Sequence, residues 1–399
     1  VTKQFYKKIG FTVLVLVVLQ LGQQVLIPQL DPGRAQSLLH TNPLLQVYTT
    51  ITGAQYAKPT LFSIGMGPYM VTLILFSALR ALGIGKKWTP DQTMVMQRLM
   101  VLVFAILQAA QMVSMMRNWI TPRGTMNAEM IMASSVLVLV AGAMLVTWLS
   151  DLNRIFGFGG LGIMIVPGIL ASSIQTFSGQ KTGTAYTMSV PNVIILIVAT
   201  LFFMAVTEFF NHAELRLPIQ QLMTDNSLTT AYLPIKVLLP GAMPLMFGLV
   251  VFSLLRLVIS HWDIPNGEQV IQVWFSTRHW QGILLYALII ILLGNLFSYM
   301  NLMPHQIAED MNKNGDYFLG VMPGEATEQF LNQHVHRIDV VANLYLVTIS
   351  CLPLVVGLWL PVASLFSYYF SSLYMVVTIL DNVIEQFRAL YVSSHYELL

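Results

Sequence analysis

Ten apolar runs, each near the length needed to cross a bilayer, divide this chain and constrain its fold more than any other feature. They fall at about 11–27, 61–83, 96–116, 129–149, 161–177, 191–210, 237–259, 281–303, 339–360 and 363–380. A hydrocarbon core roughly 30 Å thick is spanned by ~20 helical residues. Lipid satisfies no backbone polar group, so runs of this kind must be helices. Composition agrees: 56% of the 399 residues are hydrophobic and 10% are charged, where a soluble domain carries roughly 25% charged residues. The charges are swept into short segments between the runs. The expected fold class is an all-α polytopic membrane protein of ten transmembrane helices.

Lysines 3, 7 and 8 precede the first run, and no small-x-small cleavage pattern follows it, so it reads as a retained first helix. Ten spans put both termini on one side. With that side inside, the inside segments hold thirteen lysines and arginines and the outside segments seven, of 20 in all. The asymmetry predicts that both termini are cytosolic. Three connections are long: about 28–60 outside, with an apolar stretch from Pro43 to Tyr48, and about 211–236 and 304–338 inside. The last is acidic, with Glu309, Asp310, Asp316, Glu325 and Glu328 against Lys313 and Arg337.

Chemistry-bearing motifs do not stand out. The sequence has no phosphate-loop pattern, no H-E-x-x-H and no G-x-S-x-G. Cys351 is the single cysteine, and His334 and His336 lack a third ligand at metal spacing. We therefore expect no cofactor, no metal and no catalytic set, and a net charge of +2 favours no nucleic-acid partner. Polar groups within the spans are neutral, as at Gln20, Asn295 and Asn343, while Glu208 and Asp381 sit near span ends. A proton- or sodium-coupled transporter of small solutes usually buries carboxylates or breaks helices at the midplane; that class, like an intramembrane enzyme, finds no obvious residue set here.

Six segments in order resemble the SecY family of protein-conducting channels. They are Gly22 through Ile27-Pro28 to Asp31; Leu61 to Met70; Trp148 to Asp151 with the glycines of 157–160; Leu233 to Pro244; Ile307 to Phe330; and Asp381 with Ser393 to Glu397. The resemblance implies an hourglass channel between two pseudo-symmetric halves of five spans, residues 1–186 and 187–399, with a lateral gate and a plug near 43–58. Carried over residue by residue, the pore constriction would be Met66, Met70, Leu161, Ile165, Met246 and Met375. An apolar ring can hold back ions by dewetting, and methionine re-packs around varied shapes. The implied partners are a SecA-type motor ATPase, a small SecE-like membrane subunit or accessory Sec proteins, the secretory polypeptide and the bilayer.

The motor-facing loops depart from the housekeeping pattern. Arg216 stands alone where the family has an arginine pair, and Met322 replaces an arginine in Gly320-Val321-Met322-Pro323-Gly324-Glu325. An acidic loop repels ribosomal phosphates, so a ribosome is not expected as partner. The pattern resembles the accessory SecY-type channels of Gram-positive bacteria, which export a few large serine-rich adhesins already glycosylated in the cytosol. A general housekeeping channel and, more distantly, a small-solute transporter are the alternatives.

Overall fold

The computed structural model describes residues 2–27, 60–81, 88–115, 128–177, 190–221, 231–261, 273–276, 279–359 and 368–396. Eleven helices are found there: α1 (Thr2–Gly22), α2 (Gly67–Ala81), α3 (Pro90–Met115), α4 (Ala128–Phe156), α5 (Gly162–Phe177), α6 (Val190–His212), α7 (Met243–His261), α8 (Trp280–Leu302), α9 (Pro304–Asn314), α10 (Glu325–Trp359) and α11 (Tyr369–Tyr396). Four short strands join them: β1 (Glu214–Pro218), β2 (Gln220–Gln221), β3 (Tyr232–Lys236) and β4 (Asp316–Tyr317). Among the described residues, four helices are long and apolar enough to cross a membrane, namely α3, α4, α8 and α10; the helices α2, α6 and α7 contain shorter apolar segments.

The chain forms two compact units. The first comprises Val1–Thr187, Leu249–Asp263 and Thr378–Leu399; the second comprises Met188–Gly248 and Ile264–Val377. Helices α7 and α11 each contribute residues to both.

In the first unit α3 packs on α2 and α4, and α1 packs on α4. Thr89 and Gln92 start α3 with reciprocal bonds, each side chain accepting from the other's backbone N–H. Pro90 follows at the first helical position, so two otherwise orphaned donors are satisfied and φ is preset. Small residues make the seam: Ala105 and Ala109 of α3 and Ala143 of α4 join Met112, Leu139, Ile27 and Ile64 in one buried cluster. Gly142 brings α4 still closer, since a Cβ there would fall on the Leu61 carbonyl oxygen.

In the second unit α8 and α10 form the main helix pair, and α9 packs on α10. Met303 takes a left-handed conformation (φ 48°) between α8 and α9, and Pro304 opens α9. Helix α10 is 35 residues long, about 52 Å at 1.5 Å per residue, well beyond the ~30 Å that a hydrocarbon core requires. Its first turns are polar and belong to a folded body. There β1 pairs antiparallel with β3, from Glu214↔Lys236 to Pro218↔Tyr232, and β2 pairs with β4 through Gln220↔Tyr317 and Gln221↔Asp316. Leu217, Ile235, Met311, Phe318 and Leu331 are its buried core.

Several span boundaries differ from the sequence expectation. Helix α1 begins at Thr2 rather than 11, because the lysine-rich start continues the helix as polar turns. The runs at 61 and 237 open as turns, with helices only from Gly67 and Met243. The two segments expected to be separate inside connections are one folded body. The plug-like stretch 43–58 lies outside the described residues.

Candidate functional site

The turns leading into α2 and α7 are built alike. Gly65-Met66-Gly67-Pro68-Tyr69-Met70 and Gly241-Ala242-Met243-Pro244-Leu245-Met246 share a Gly-x-x-Pro-x-Met pattern. Gly65 and Gly241 both have φ of 60°, a left-handed value that costs a side-chain-bearing residue energy but not glycine. The backbone bonds match: Gly65 N–H to Phe62 O at 2.9 Å and Gly241 N–H to Leu238 O at 3.1 Å. Next come Met70 N–H to Met66 O at 3.0 Å and Met246 N–H to Ala242 O at 3.1 Å. Proline fits a first helical turn, where its missing N–H has no intrahelical partner anyway. The pattern delivers one methionine, Met70 or Met246, to the first turn of each helix.

The six predicted constriction residues occupy comparable places. Met66 ends the turn before α2, Leu161 immediately precedes α5, and Ile165 lies in its first turn. Met375 is on the second turn of α11. Met66, Met70, Ile165, Met246 and Met375 are buried, while Leu161 is half-buried. Met66, Met70, Leu161 and Ile165 belong to the first unit, Met246 and Met375 to the second.

Polar side chains, which sequence reading missed, hold these turns. In the first unit Tyr69 O–H donates to Asp151 Oδ1 at 3.3 Å, and Arg98 stands 3.8 Å from the other carboxylate oxygen. The glycine turn before α5 is bound from three sides. Thr12 Oγ1 accepts from Phe158 N–H at 2.9 Å, and Gln386 Oε1 accepts from Gly159 N–H at 3.0 Å. Asn153 Nδ2 donates to the carbonyls of Phe158 and Gly160. In the second unit Tyr374 O–H donates to Gly241 O at 3.3 Å, so the residue beside Met375 clasps the turn that carries Met246. The Gly-x-x-Pro-x-Met repeat is the sequence signal that could have located two of these turns.

The folded body of the second unit carries the other predicted residues. Arg216 on β1 bonds Glu214 Oε1 at 2.7 Å and lies 4.9 Å from the Tyr232 ring centroid. The Glu214 hydrogen bond raises its pKa further. Met322 is 79% exposed and Leu319 75%, an apolar pair on the turn before α10. Gly324 takes φ of 102°, and Thr327 Oγ1 donates to Met322 O at 3.0 Å, fixing the Pro323–Glu325 turn. Glu325 and Glu328 occupy the first turn of α10, where the helix dipole favours negative charge. Glu328 also meets His305 at 2.8 Å, and Lys313 lowers the pKa of Glu309 through a hydrogen bond at 2.8 Å. His334 packs its ring on Phe330.

Comparison with known proteins identifies the architecture. The accessory Sec system protein translocase subunit SecY2 of Streptococcus sanguinis is 28% identical over 98% of this chain and 97% of its own length. The protein translocase subunit SecY of the same organism is 26% identical over 88% of this chain and 86% of its own. A solved protein-conducting channel superposes with a TM-score of 0.68 at 16% identity, covering 98% of this chain and 93% of that one. The SecY family pattern matches residues 60–384. This multi-pass membrane chain belongs to the SecY family.

Proposed function

We propose that this chain, a protein-translocation channel subunit, is the pore of an accessory export system that passes unfolded secretory polypeptide across the cytoplasmic membrane. The observation that carries the reading is the repeated lead-in turn that delivers Met70 and Met246, both buried, to the first turns of α2 and α7. By family resemblance, Met66, Leu161, Ile165 and Met375 join them in the proposed constriction. Extended polypeptide carries backbone groups that lipid cannot satisfy, so its path must be lined by protein. A pliable apolar collar then excludes ions around a moving chain.

Energy comes from a separate SecA-type motor that docks on the folded body of Arg216 and Met322–Glu325. Both termini are cytosolic, and a small SecE-like subunit completes the channel. The exposed apolar pair Leu319 and Met322, in acidic surroundings, supports an accessory motor over a ribosome. Large serine-rich glycosylated adhesins are the cargo class.

A photocrosslinker at Met70, in membranes containing the accessory motor and a stalled secretory chain, tests the reading. An adduct that requires both ATP and a signal sequence is expected. Silence at Met70 and at Met246 would remove the constriction.

A further inference from the structure

Asp339 opens the apolar part of α10 as a buried carboxylate, 5% exposed. Among the described residues its charge-bearing neighbour is His336, which lies one turn back and is exposed. A carboxylate taken out of water without a partner is costly, so a buried one is paired, protonated or bound to a cation. Ionisable groups at membrane depth mark sites more often than packing.

The groups around Asp339 narrow that choice. On the seam between α8 and α10, Asn343 meets Asn295, and one turn along the seam Asp339 faces Ser298. Asp339 Oδ1, Ser298 Oγ and Asn343 Oδ1 are all buried, and none of the three closes a well-formed hydrogen bond. Ser298 is wholly buried and Asn343 is 6% exposed. The Asn343 amide is oriented by its Nδ2, which donates to Asn295 Oδ1 at 2.7 Å and leaves Oδ1 turned onto Gly294. A Cβ at Gly294 would fall on that oxygen, so only glycine leaves it room. Orphaned oxygens on adjacent turns of two packed helices, one of them anionic, are the donor set that a hard cation takes. A single carboxylate balances one positive charge, which suits a monovalent ion, and the close packing at Gly294 favours a small one. Ser298 can offer its oxygen while its proton turns to the carbonyl one turn back, a usual bond for serine in a helix. Histidine and cysteine spacing could not announce such a site, because its ligands are oxygens on two separate helices.

We propose that Asp339, Ser298 and Asn343 bind one sodium ion between α8 and α10. The ion neutralises the buried carboxylate and ties the two helices together where α10 leaves the folded body for its apolar stretch. This inference does not depend on the constriction or the motor reading.

The test is equilibrium binding of radiolabelled sodium to the purified full chain in detergent at pH 8, where an ordinary imidazole carries little charge. Saturable binding of a single ion per chain is expected. Thermal unfolding should report it independently: exchanging choline for saturating sodium at fixed ionic strength should raise the midpoint by about 3 °C or more. Asp339→Asn and Ser298→Ala should each weaken sodium binding at least tenfold. Asp339→Asn should also melt higher than wild type in choline, because it removes the uncompensated charge, a gain that a carboxylate with only a packing role would not give. Glu309→Gln, which changes an exposed carboxylate on α9, should bind sodium as wild type does. Absence of saturable sodium binding, or binding that survives Asp339→Asn, would overturn the proposal. So would a midpoint that rises with acid and ignores sodium, since the occupant would then be a proton.

Discussion

At the scale of single residues, two glycines predict opposite outcomes for the same substitution. Gly142 faces the Leu61 carbonyl, so the Cβ of Gly142→Ala collides with backbone rather than with a side chain that can turn away. The 60–66 turn must then shift, and Met66 rides on it. Overpacking of this kind costs about 1–3 kcal/mol, which thermal unfolding of the purified chain in detergent would register as a lower midpoint. Gly10 in α1 has nothing within 4 Å of its notional Cβ. There Gly10→Ala should stabilise by up to about 1 kcal/mol through helix propensity alone. An unchanged midpoint for Gly142→Ala would mean that α4 does not approach the turn this closely. The methionines make a further prediction at this scale. Met70→Gly combined with Met246→Gly opens the proposed collar on two helices, and proteoliposomes carrying it should leak halide at least tenfold faster than wild type. A tight double variant would count against the seal.

Among the elements, the β2–β4 ladder is the feature with the sharpest consequence. It joins segments distant in sequence at Gln220↔Tyr317 and Gln221↔Asp316. In an antiparallel ladder, facing pairs alternate between hydrogen-bonded and closer non-hydrogen-bonded geometry, so one of these two pairs suits a disulfide. Either Gln220→Cys with Tyr317→Cys or Gln221→Cys with Asp316→Cys should oxidise within the chain and shift its mobility on a non-reducing gel. If neither pair closes, the ladder is not formed in the membrane. Such contacts were beyond the reach of a hydropathy reading. The apolar runs announced that helices exist, because the bilayer imposes a length, and α3, α4, α6 and α8 came out close to expectation. Where helices begin was less legible at 61 and 237. A turn buried in apolar surroundings has the same composition as a helix, and only its positive-φ glycines and its proline mark it. The polar connections read as loops because their core is five scattered residues, Leu217, Ile235, Met311, Phe318 and Leu331, whose association depends on pairing distant in sequence. The methionines of the proposed collar rest on family resemblance; Tyr69, Tyr374 and Asn153, which hold their turns, were not legible, since a buried tyrosine or asparagine in an apolar run reads as packing.

For the whole molecule, the proposed motor-facing surface makes a prediction about partner choice, because it is apolar where the housekeeping pattern is basic. Leu319 and Met322 project from the turn before α10 with most of their area bare. Glu325, Glu328 and Asp316 stand near them in sequence on the same folded body. Covering an exposed methionine side chain is worth about 1.5–3 kcal/mol, so a motor that buries Met322 would lose roughly tenfold or more in affinity on its removal. Charge would act in the opposite sense for a motor adapted to arginine. Met322→Arg should therefore weaken stimulation of the accessory motor's ATPase by channel-containing proteoliposomes by about tenfold. The same variant should raise stimulation of a general SecA-type motor, more so at low salt, where exposed charges are least screened. Met322→Ala separates the two terms: it loses the apolar contact without adding charge, so the accessory motor should be weakened and the general motor left unstimulated. Equal stimulation of both motors by wild type, Met322→Ala and Met322→Arg would show that this turn does not choose the partner, and selection would then have to reside in the β1–β3 hairpin around Arg216.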